Sequence, residues 1–237
     1  MKYKLTENTV QETLVIPLYG RKMCSERYPA LYRDETAIRL IDQIDYDFAA
    51  LEKKSGGLMQ RFGVLEAAMR QTDLAFEVRD YLKTHPNAAV VNLGCGLDDT
   101  AWFSRIDTSG GAVFFAAGVF YYFLKEQVRA LVQQMAEAFP GGVLVFDAAN
   151  EKAVRLMLKT WIKDAAIQDV GAYFAVADAR RELSAWDSRL HVSSRGYMLG
   201  YNDLKDPSVS GFFRFLSRIG DNRMNTQIVK IGFGDRR

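Results

Sequence analysis

Residues 90–98 combine a short apolar run with two glycines and an aspartate, in the order Val-Val-Asn-Leu-Gly-Cys-Gly-Leu-Asp. The run from Ala88 to Leu93 predicts a buried parallel strand. Gly94 and Gly96 would let the chain turn tightly and let a ligand approach the backbone, and exposed amides beyond them favour a polar or anionic group. The pattern fits a ligand-binding turn, and it also fits a tight strand-to-helix turn that holds no ligand.

Other residue patterns argue against the commonest alternatives. A dinucleotide fingerprint would place a third glycine where this chain has Asp99, and no Gly-Lys-Ser/Thr follows the glycines as a P-loop requires. His85 and His191 are the only histidines, and Cys24 and Cys95 are the only cysteines. We therefore expect neither a Cys/His metal centre nor a disulfide scaffold.

The elements around the glycine turn indicate an α/β fold, because short apolar runs alternate with amphipathic helices. We expect a parallel sheet of strands 89–93, 112–117 and 143–147, with 89–93 at its centre. Alternating patterns at 190–194 and 226–233 predict antiparallel strands.

The amino-terminal part of the chain has a different character. Residues 31–44 and 58–82 show helical spacing of apolar residues, and Pro86 ends the second pattern. The sequence thus predicts a helical cap over residues 1–85 and an α/β core over residues 86–237.

The composition of the chain narrows the classes of partner and the cellular location that we expect. The chain has 237 residues, 49% of them apolar, and a net charge of +2, so there is no global case for binding nucleic acid or an acidic membrane surface. The longest apolar stretch, residues 112–123, is too short to span a bilayer. The polar first eight residues lack a signal-peptide core, so we expect a cytoplasmic location. The sequence does not indicate an oligomeric state.

The block NLGCGLDDTAWF, residues 92–103, resembles motif I of class I S-adenosylmethionine (SAM) methyltransferases. More narrowly, it is similar to the leucine carboxyl methyltransferase family and its relatives in bacterial polyketide biosynthesis. Residues 116–123 resemble the family's Ala-Glu-Gly-Val-Leu-x-Tyr-Leu, and three further stretches agree with it: 20–27, 34–37 and 178–186. The resemblance covers roughly residues 15–237. It implies a Rossmann-like class I methyltransferase sheet, whole or truncated, with a helical amino-terminal cap.

The resemblance also implies roles for individual residues. Arg70 matches an arginine that pairs with the methionine carboxylate of SAM, a task that suits the fork of a guanidinium. Without the resemblance, Arg70 would be interpreted as a solvent-exposed charge on a helix. Asp98 fits a helix cap as well as a cofactor contact. The other cofactor contacts would be Asn92, Gly94, Cys95, Gly96, Arg21 (or Lys22), Ala117 and Gly118.

Two departures from the family matter. Gly96 and Ala112 are only sixteen residues apart, whereas the family places two further strands, their helices and a ribose-binding acid there. From the typical lengths of strands, helices and loops, about 40–60 residues of the family have no counterpart in this chain. Either the sequence omits that stretch or the protein lacks half of the nucleoside pocket. In addition, Ala117 stands where the family usually has a glutamate.

The implied reaction is methyl transfer from SAM to a carboxylate or hydroxyl of a small molecule or peptide. The protein would align the acceptor and exclude water. A carboxylate acceptor needs no base, whereas a hydroxyl does. Substrate-side candidates are Tyr121, Tyr122, His191 and Arg195, and no residue stands out as catalytic. The alternative is a catalytically silent methyltransferase-fold protein that acts as a binding or scaffold module.

Overall fold

The computed structural model describes residues 2–4, 14–49, 57–94, 106–159, 171–202, 204 and 206–234. Its strands are β1 (Tyr3–Lys4), β2 (Ile44–Asp45), β3 (Ala89–Asn92), β4 (Ala112–Ala116), β5 (Val143–Ala148), β6 (Leu190–Gly196) and β7 (Gln227–Phe233). Its α-helices are α1 (Val15–Arg27), α2 (Glu35–Ile41), α3 (Leu58–Thr84), α4 (Lys125–Ala138), α5 (Glu151–Met157), α6 (Ala179–Ser184) and α7 (Gly211–Ile219). A short 3-10 helix spans Phe120–Tyr122 and a π-helical turn spans Gly220–Met224.

Five of the strands form one sheet in the order β3-β4-β5-β7-β6. β3, β4 and β5 run parallel, and β7 is antiparallel to both of its neighbours. The predicted α/β fold, its three parallel strands and its antiparallel carboxyl-terminal strands are therefore confirmed. β1 and β2 form a separate two-stranded parallel pair.

The middle parallel strands are apolar because helices cover both faces of the sheet. Every residue of β5 is buried. On one face α4 contributes an apolar stripe to a cluster with Phe114 and Leu144: Val128, Leu131, Val132 and Met135. On the other face α3 lies across β4, β5 and β7, and its Leu65 and Met69 share a cluster with Val113 and Val145.

The position predicted for β3 is wrong, because the strand lies at an edge of the sheet and not at its centre. Within the described residues nothing pairs with its outer side, and Val90 is 47% exposed. The connection from β3 to β4 comprises only residues 93–111, so it has little length for the further strands and helices that could lie beside β3. Residues 95–105, which follow the first glycine of the turn, lie outside the described residues.

The helices differ from prediction mainly at their ends. α3 continues two residues beyond the predicted 58–82. The pattern over 31–44 yields only the seven residues of α2, because Asp34 caps its start by accepting a hydrogen bond from the Ala37 amide. α5 is described from Glu151 to Met157, and residues 160–170 lie outside the described part.

The amino-terminal helices and the sheet share one hydrophobic cluster, so the predicted boundary between residues 85 and 86 stays a prediction. None of the helices in the described ranges combines the length and the apolar character that a membrane span needs.

An acidic face of α3 holds the segment that follows β6. Asp73 is fully buried and accepts hydrogen bonds from the Met198 amide and the Asn202 side chain, both at 2.8 Å. One turn further along α3, Glu77 accepts from the Tyr201 hydroxyl at 2.8 Å. These contacts fix residues 197–202 against the helix that lies across the sheet.

We expect Asp73 to make stability depend on pH. Burial raises the pKa of Asp73 to about 7, whereas an aspartate in the unfolded chain titrates near 3.9. Between these values the folded protein binds more protons than the unfolded chain, so the free energy of unfolding falls as pH rises from about 4 to about 7. One such group contributes a slope of up to about 1.4 kcal/mol per pH unit. Asp73→Asn should make the decline shallower, as measured by urea denaturation at intervals between pH 5 and 8.

Asp80→Asn is the matched control on the same helix. Lys83 and Lys230 lower the pKa of the exposed Asp80 carboxyl, so it is ionised in both states over this range and its removal should leave the slope unchanged. Parallel stability curves for the wild type and Asp73→Asn would refute the assignment.

Candidate active site

The carboxyl ends of β4 and β5 bring one acidic side chain next to a turn. Ala116 pairs with Phe146 in the parallel ladder, so positions 117 and 147 follow at the same level on neighbouring strands. Ligands of open α/β sheets bind beyond these ends of the strands. Asp147 therefore lies where such a sheet places its chemistry.

Asp147 joins this edge of the sheet to α3. Its Oδ1 accepts a hydrogen bond from the Gly118 amide at 2.6 Å, and its Oδ2 lies 3.3 Å from Nη1 of Arg70. The Asp147 side chain is 1% exposed, whereas that of Arg70 is 18% exposed and lies above it. The buried carboxylate is thus covered by the guanidinium that it pairs with.

Gly118 is the residue that makes this arrangement fit. Its φ of +68° is a conformation that residues with a side chain rarely adopt. A Cβ built there would also lie 3.2 Å from Nη1 of Arg70. The glycine therefore allows both the turn after β4 and the close approach of the guanidinium.

Three further side chains surround the pair. Glu66 lies one turn before Arg70 on α3 and accepts a hydrogen bond from the Tyr197 hydroxyl at 2.9 Å. Tyr121, from the 3-10 helix after β4, is buried beside Asp147. We call the six residues together the Arg70 cluster: Glu66, Arg70, Gly118, Tyr121, Asp147 and Tyr197.

Burial and charge set the protonation states of the Arg70 cluster. Burial would lower the pKa of Arg70, but Asp147, Tyr197, Tyr121 and Glu66 together outweigh it and the pKa is raised, so the guanidinium stays charged. Burial raises the pKa of Glu66. Burial, followed by nearby carboxylates, raises the pKa values of Tyr121 and Tyr197 well above their usual range, so both hydroxyls stay protonated.

The structure brings several predicted site residues together. Arg70, Gly118 and Tyr121 belong to the cluster, and Ala117 and Tyr122 are their half-buried chain neighbours. In the described part of the chain Arg70 donates a hydrogen bond from Nη1 to Asp147, which leaves Nε and Nη2 as donors for an anion. The cluster can therefore hold a carboxylate at the guanidinium.

Two predicted substrate contacts lie elsewhere. His191 is exposed at the start of β6, and the ladder aligns it through Gly232 with Val143, where β5 begins. That is the opposite end of the sheet from Asp147. Arg195 lies two strands away from Asp147, and its guanidinium stacks over the Tyr201 ring at 4.5 Å.

Arg21 is held within the amino-terminal helices. Its Nε lies 2.9 Å from Oδ2 of Asp34, the residue that caps α2. The Tyr32 hydroxyl donates to the same oxygen. This network gives Arg21 a partner in the folded chain.

The glycine turn itself is only partly described. Asn92 and Gly94 are exposed at the end of β3. Cys95, Gly96 and Asp98 lie outside the described residues, so the cofactor contacts expected of them stay predictions.

The sequence analysis did not select Asp147, Glu66 or Tyr197. An acidic residue that ends a buried parallel strand was a usable signal for Asp147. Glu66 precedes Arg70 by four positions and so shares its helix face. No local sequence pattern predicted Tyr197, because its hydrogen-bond partner Glu66 lies 131 positions away in the chain.

No protein-family model matches the chain. Solved structures that align with it include a methyltransferase of undetermined function from Thermobifida fusca (12% identity, 91% of this chain, 94% of that one, TM-score 0.47). An O-methyltransferase family protein from Burkholderia thailandensis aligns with 13% identity over 93% of this chain and 72% of its own, with a TM-score of 0.39. LepI in complex with SAM aligns with 12% identity over 95% of this chain and 69% of its own, with a TM-score of 0.34.

Among curated proteins, the tetracenomycin polyketide synthesis O-methyltransferase TcmP of Streptomyces glaucescens is 30% identical over 93 residues. The match covers 39% of this chain and only 32% of TcmP, so it spans about a third of the relative. Over that stretch the chain is similar to TcmP.

Proposed function

We propose that the chain binds SAM and transfers its methyl group to an oxygen atom of an acceptor molecule. The observation that carries the proposal is the Arg70 guanidinium, which lies beside Gly118 at the carboxyl ends of β4 and β5. That position suits the carboxylate of the methionyl end of SAM. The match to TcmP, which is named as a polyketide O-methyltransferase, supports the same reaction.

The methionyl end of SAM fits the residues present better than the nucleoside end does. Arg70 offers unused donors, and Gly118 has no side chain to lie against its guanidinium. The ribose hydroxyls would need an acid beyond a strand next to β3. In the described ranges β3 has no outer neighbour, so that acid is not among the residues seen.

Bound SAM would supply an electrophilic methyl group on its sulfonium. Arg70 would hold and orient the methionyl end, and the protonated hydroxyls of Tyr121 and Tyr197 would line the same edge without adding charge. A carboxylate acceptor would need no base. For a hydroxyl acceptor, Glu66 is suited to accept the proton, because its raised pKa brings it closer to that of an acidic hydroxyl.

Two classes of methyl acceptor fit the proposed reaction. The likeness to leucine carboxyl methyltransferases favours a carboxylate of a small molecule or peptide, whereas the match to TcmP favours an oxygen of a polyketide. Tyr121 and Tyr122 are the acceptor-side candidates nearest to Arg70. His191 lies at the opposite end of the sheet, and Arg195 lies at the level of Asp147 but two strands away, so either would require an extended acceptor. A cytoplasmic location stays a prediction.

The exposed edge strand favours a second candidate, a catalytically silent binding or scaffold protein. β3 lacks an outer neighbour in the described residues, and in the family that side of the sheet carries half of the nucleoside pocket. Calorimetric titration with SAM and S-adenosylhomocysteine separates the two, once the intact mass is checked against 26.8 kDa. Saturable binding supports the methyltransferase, and absence of binding to both compounds at millimolar concentration favours the scaffold.

Arg70→Ala should weaken SAM binding by roughly ten- to a hundredfold, because a charge-assisted hydrogen bond contributes about 1.5–3 kcal/mol. Arg79→Ala is the matched control. Arg79 lies nine positions further along the same continuous helix and is exposed, so its loss should change the affinity little. Greater sensitivity at Arg79 would show that the role of Arg70 is misassigned.

Gly94→Val should abolish SAM binding while the protein still folds. A Cβ at Gly94 would meet only the Asn92 Oδ1 atom, at 3.9 Å, so the described residues leave room for a larger side chain. A β-branched side chain would instead fill the space proposed for the methionyl group. Calorimetry checks the binding and circular dichroism checks the fold; a folded variant that binds SAM normally would place the ligand elsewhere.

A further inference from the structure

We infer that Asp147 is the positioning residue that sets Arg70 for the carboxylate of SAM, and that it supplies from β5 the carboxylate that position 117 lacks on β4. The inference rests on the proposed function, since it concerns the same site. It assigns a role to a residue that was not among the predicted site residues and that the geometry of this chain brings forward.

The sheet register places the two positions side by side. Ala116 is the last residue of β4 and pairs with Phe146, so Ala117 directly follows the strand at the level of Asp147, and Ala117 packs against the hydrophobic cluster on the face that α3 covers. Side chains at the same level of a parallel pair point to the same face. An acidic side chain at either position would therefore reach the same guanidinium on α3.

One carboxylate at this level suits the site better than two. Like charges that share a site raise one of the two pKa values and drive one group towards its neutral form. Ala117 avoids that conflict, because it leaves Asp147 without an acidic neighbour on the adjacent strand. The alanine and the aspartate are thus complementary features of one arrangement.

The contacts of Asp147 define how it acts on Arg70. One carboxylate oxygen is held by the Gly118 amide at 2.6 Å, which fixes the plane of the group, and the other faces Nη1 of Arg70 at 3.3 Å. With Nη1 held by Asp147, the guanidinium has a fixed orientation, and its Nη2 lies beside the Gly118 turn. A preorganised fork of this kind loses less freedom when it binds a second carboxylate.

Burial shows that this role is indirect. The Asp147 side chain is 1% exposed and Arg70 covers it, so a ligand at the strand ends meets Arg70 first. Asp147 can influence the ligand only through the guanidinium and the Gly118 turn.

A double-mutant cycle on S-adenosylhomocysteine binding tests the inference. Asp147→Asn keeps the shape and an acceptor for the Gly118 amide but removes the charge, and we expect it to weaken binding at least tenfold. Arg70→Ala should weaken binding by a similar factor. The double variant should bind within twofold of Arg70→Ala, because Asp147 has nothing left to position.

Two further measurements separate positioning from general damage to the fold. Methylthioadenosine lacks the amino-acid end, so Asp147→Asn should change its affinity less than twofold. Asp187→Asn removes a carboxylate from another close ion pair, with Arg189 at 2.7 Å before β6, and should leave both affinities unchanged. If Asp147→Asn does not fold, Asp147→Ser takes its place in the cycle.

A relocated carboxylate tests the second half of the inference. Ala117→Glu combined with Asp147→Asn should recover at least threefold of the lost affinity for S-adenosylhomocysteine. A folded variant without any recovery would overturn the equivalence of the two positions.

The outcomes distinguish this inference from the proposed function. A wild-type protein that binds no S-adenosylhomocysteine would refute the function itself. If the wild type binds, the positioning role fails in any of three cases. Asp147→Asn binds S-adenosylhomocysteine normally, its loss of affinity adds in full to that of Arg70→Ala, or it lowers the affinity for methylthioadenosine in the same proportion.

Discussion

A single ion pair between Arg70 and Asp147 joins the helix that precedes β3 to the far ends of β4 and β5. Removing charges from water is unfavourable, and a buried pair is maintained only when further hydrogen bonds satisfy its atoms. Here the Gly118 amide provides one of them. Glycine at position 118 suits the positive φ of the turn and leaves room for the guanidinium, and the place of α3 across the sheet brings Arg70 within reach. The remainder of the Arg70 cluster is arranged around that contact.

Local sequence patterns were sufficient to predict most of the framework. Apolar runs gave the three parallel strands, and periodicity gave α3 almost to its last residue. Arg70 and Arg79 are nine positions apart on that helix, which puts them on opposite sides of its axis, and in the structure Arg79 is exposed whereas Arg70 lies in the cluster. Helical geometry and hydrophobic burial are local properties, so a single sequence carries them.

The partners within the site were not predictable in the same way. The role of Asp147 depends on the register of two strands and on how α3 crosses them, and neither is encoded near residue 147. The central position predicted for β3 was wrong for a related reason. An apolar run indicates that the faces of a strand are covered, but it does not tell how many strands lie on either side, and Val90 remains 47% exposed at the edge.

The acidic face of α3 has a consequence for the order of folding. Its bonds to the segment after β6 join residues that are far apart in the chain: 131 positions for Glu66 and Tyr197, and 129 for Asp73 and Asn202. Contacts of such high sequence separation carry a large loop-closure cost and form slowly. During synthesis the helix emerges more than a hundred residues before the groups that satisfy its buried carboxyls. The site is therefore completed only when nearly the whole chain is available, and its assembly is a late event in the folding of the protein.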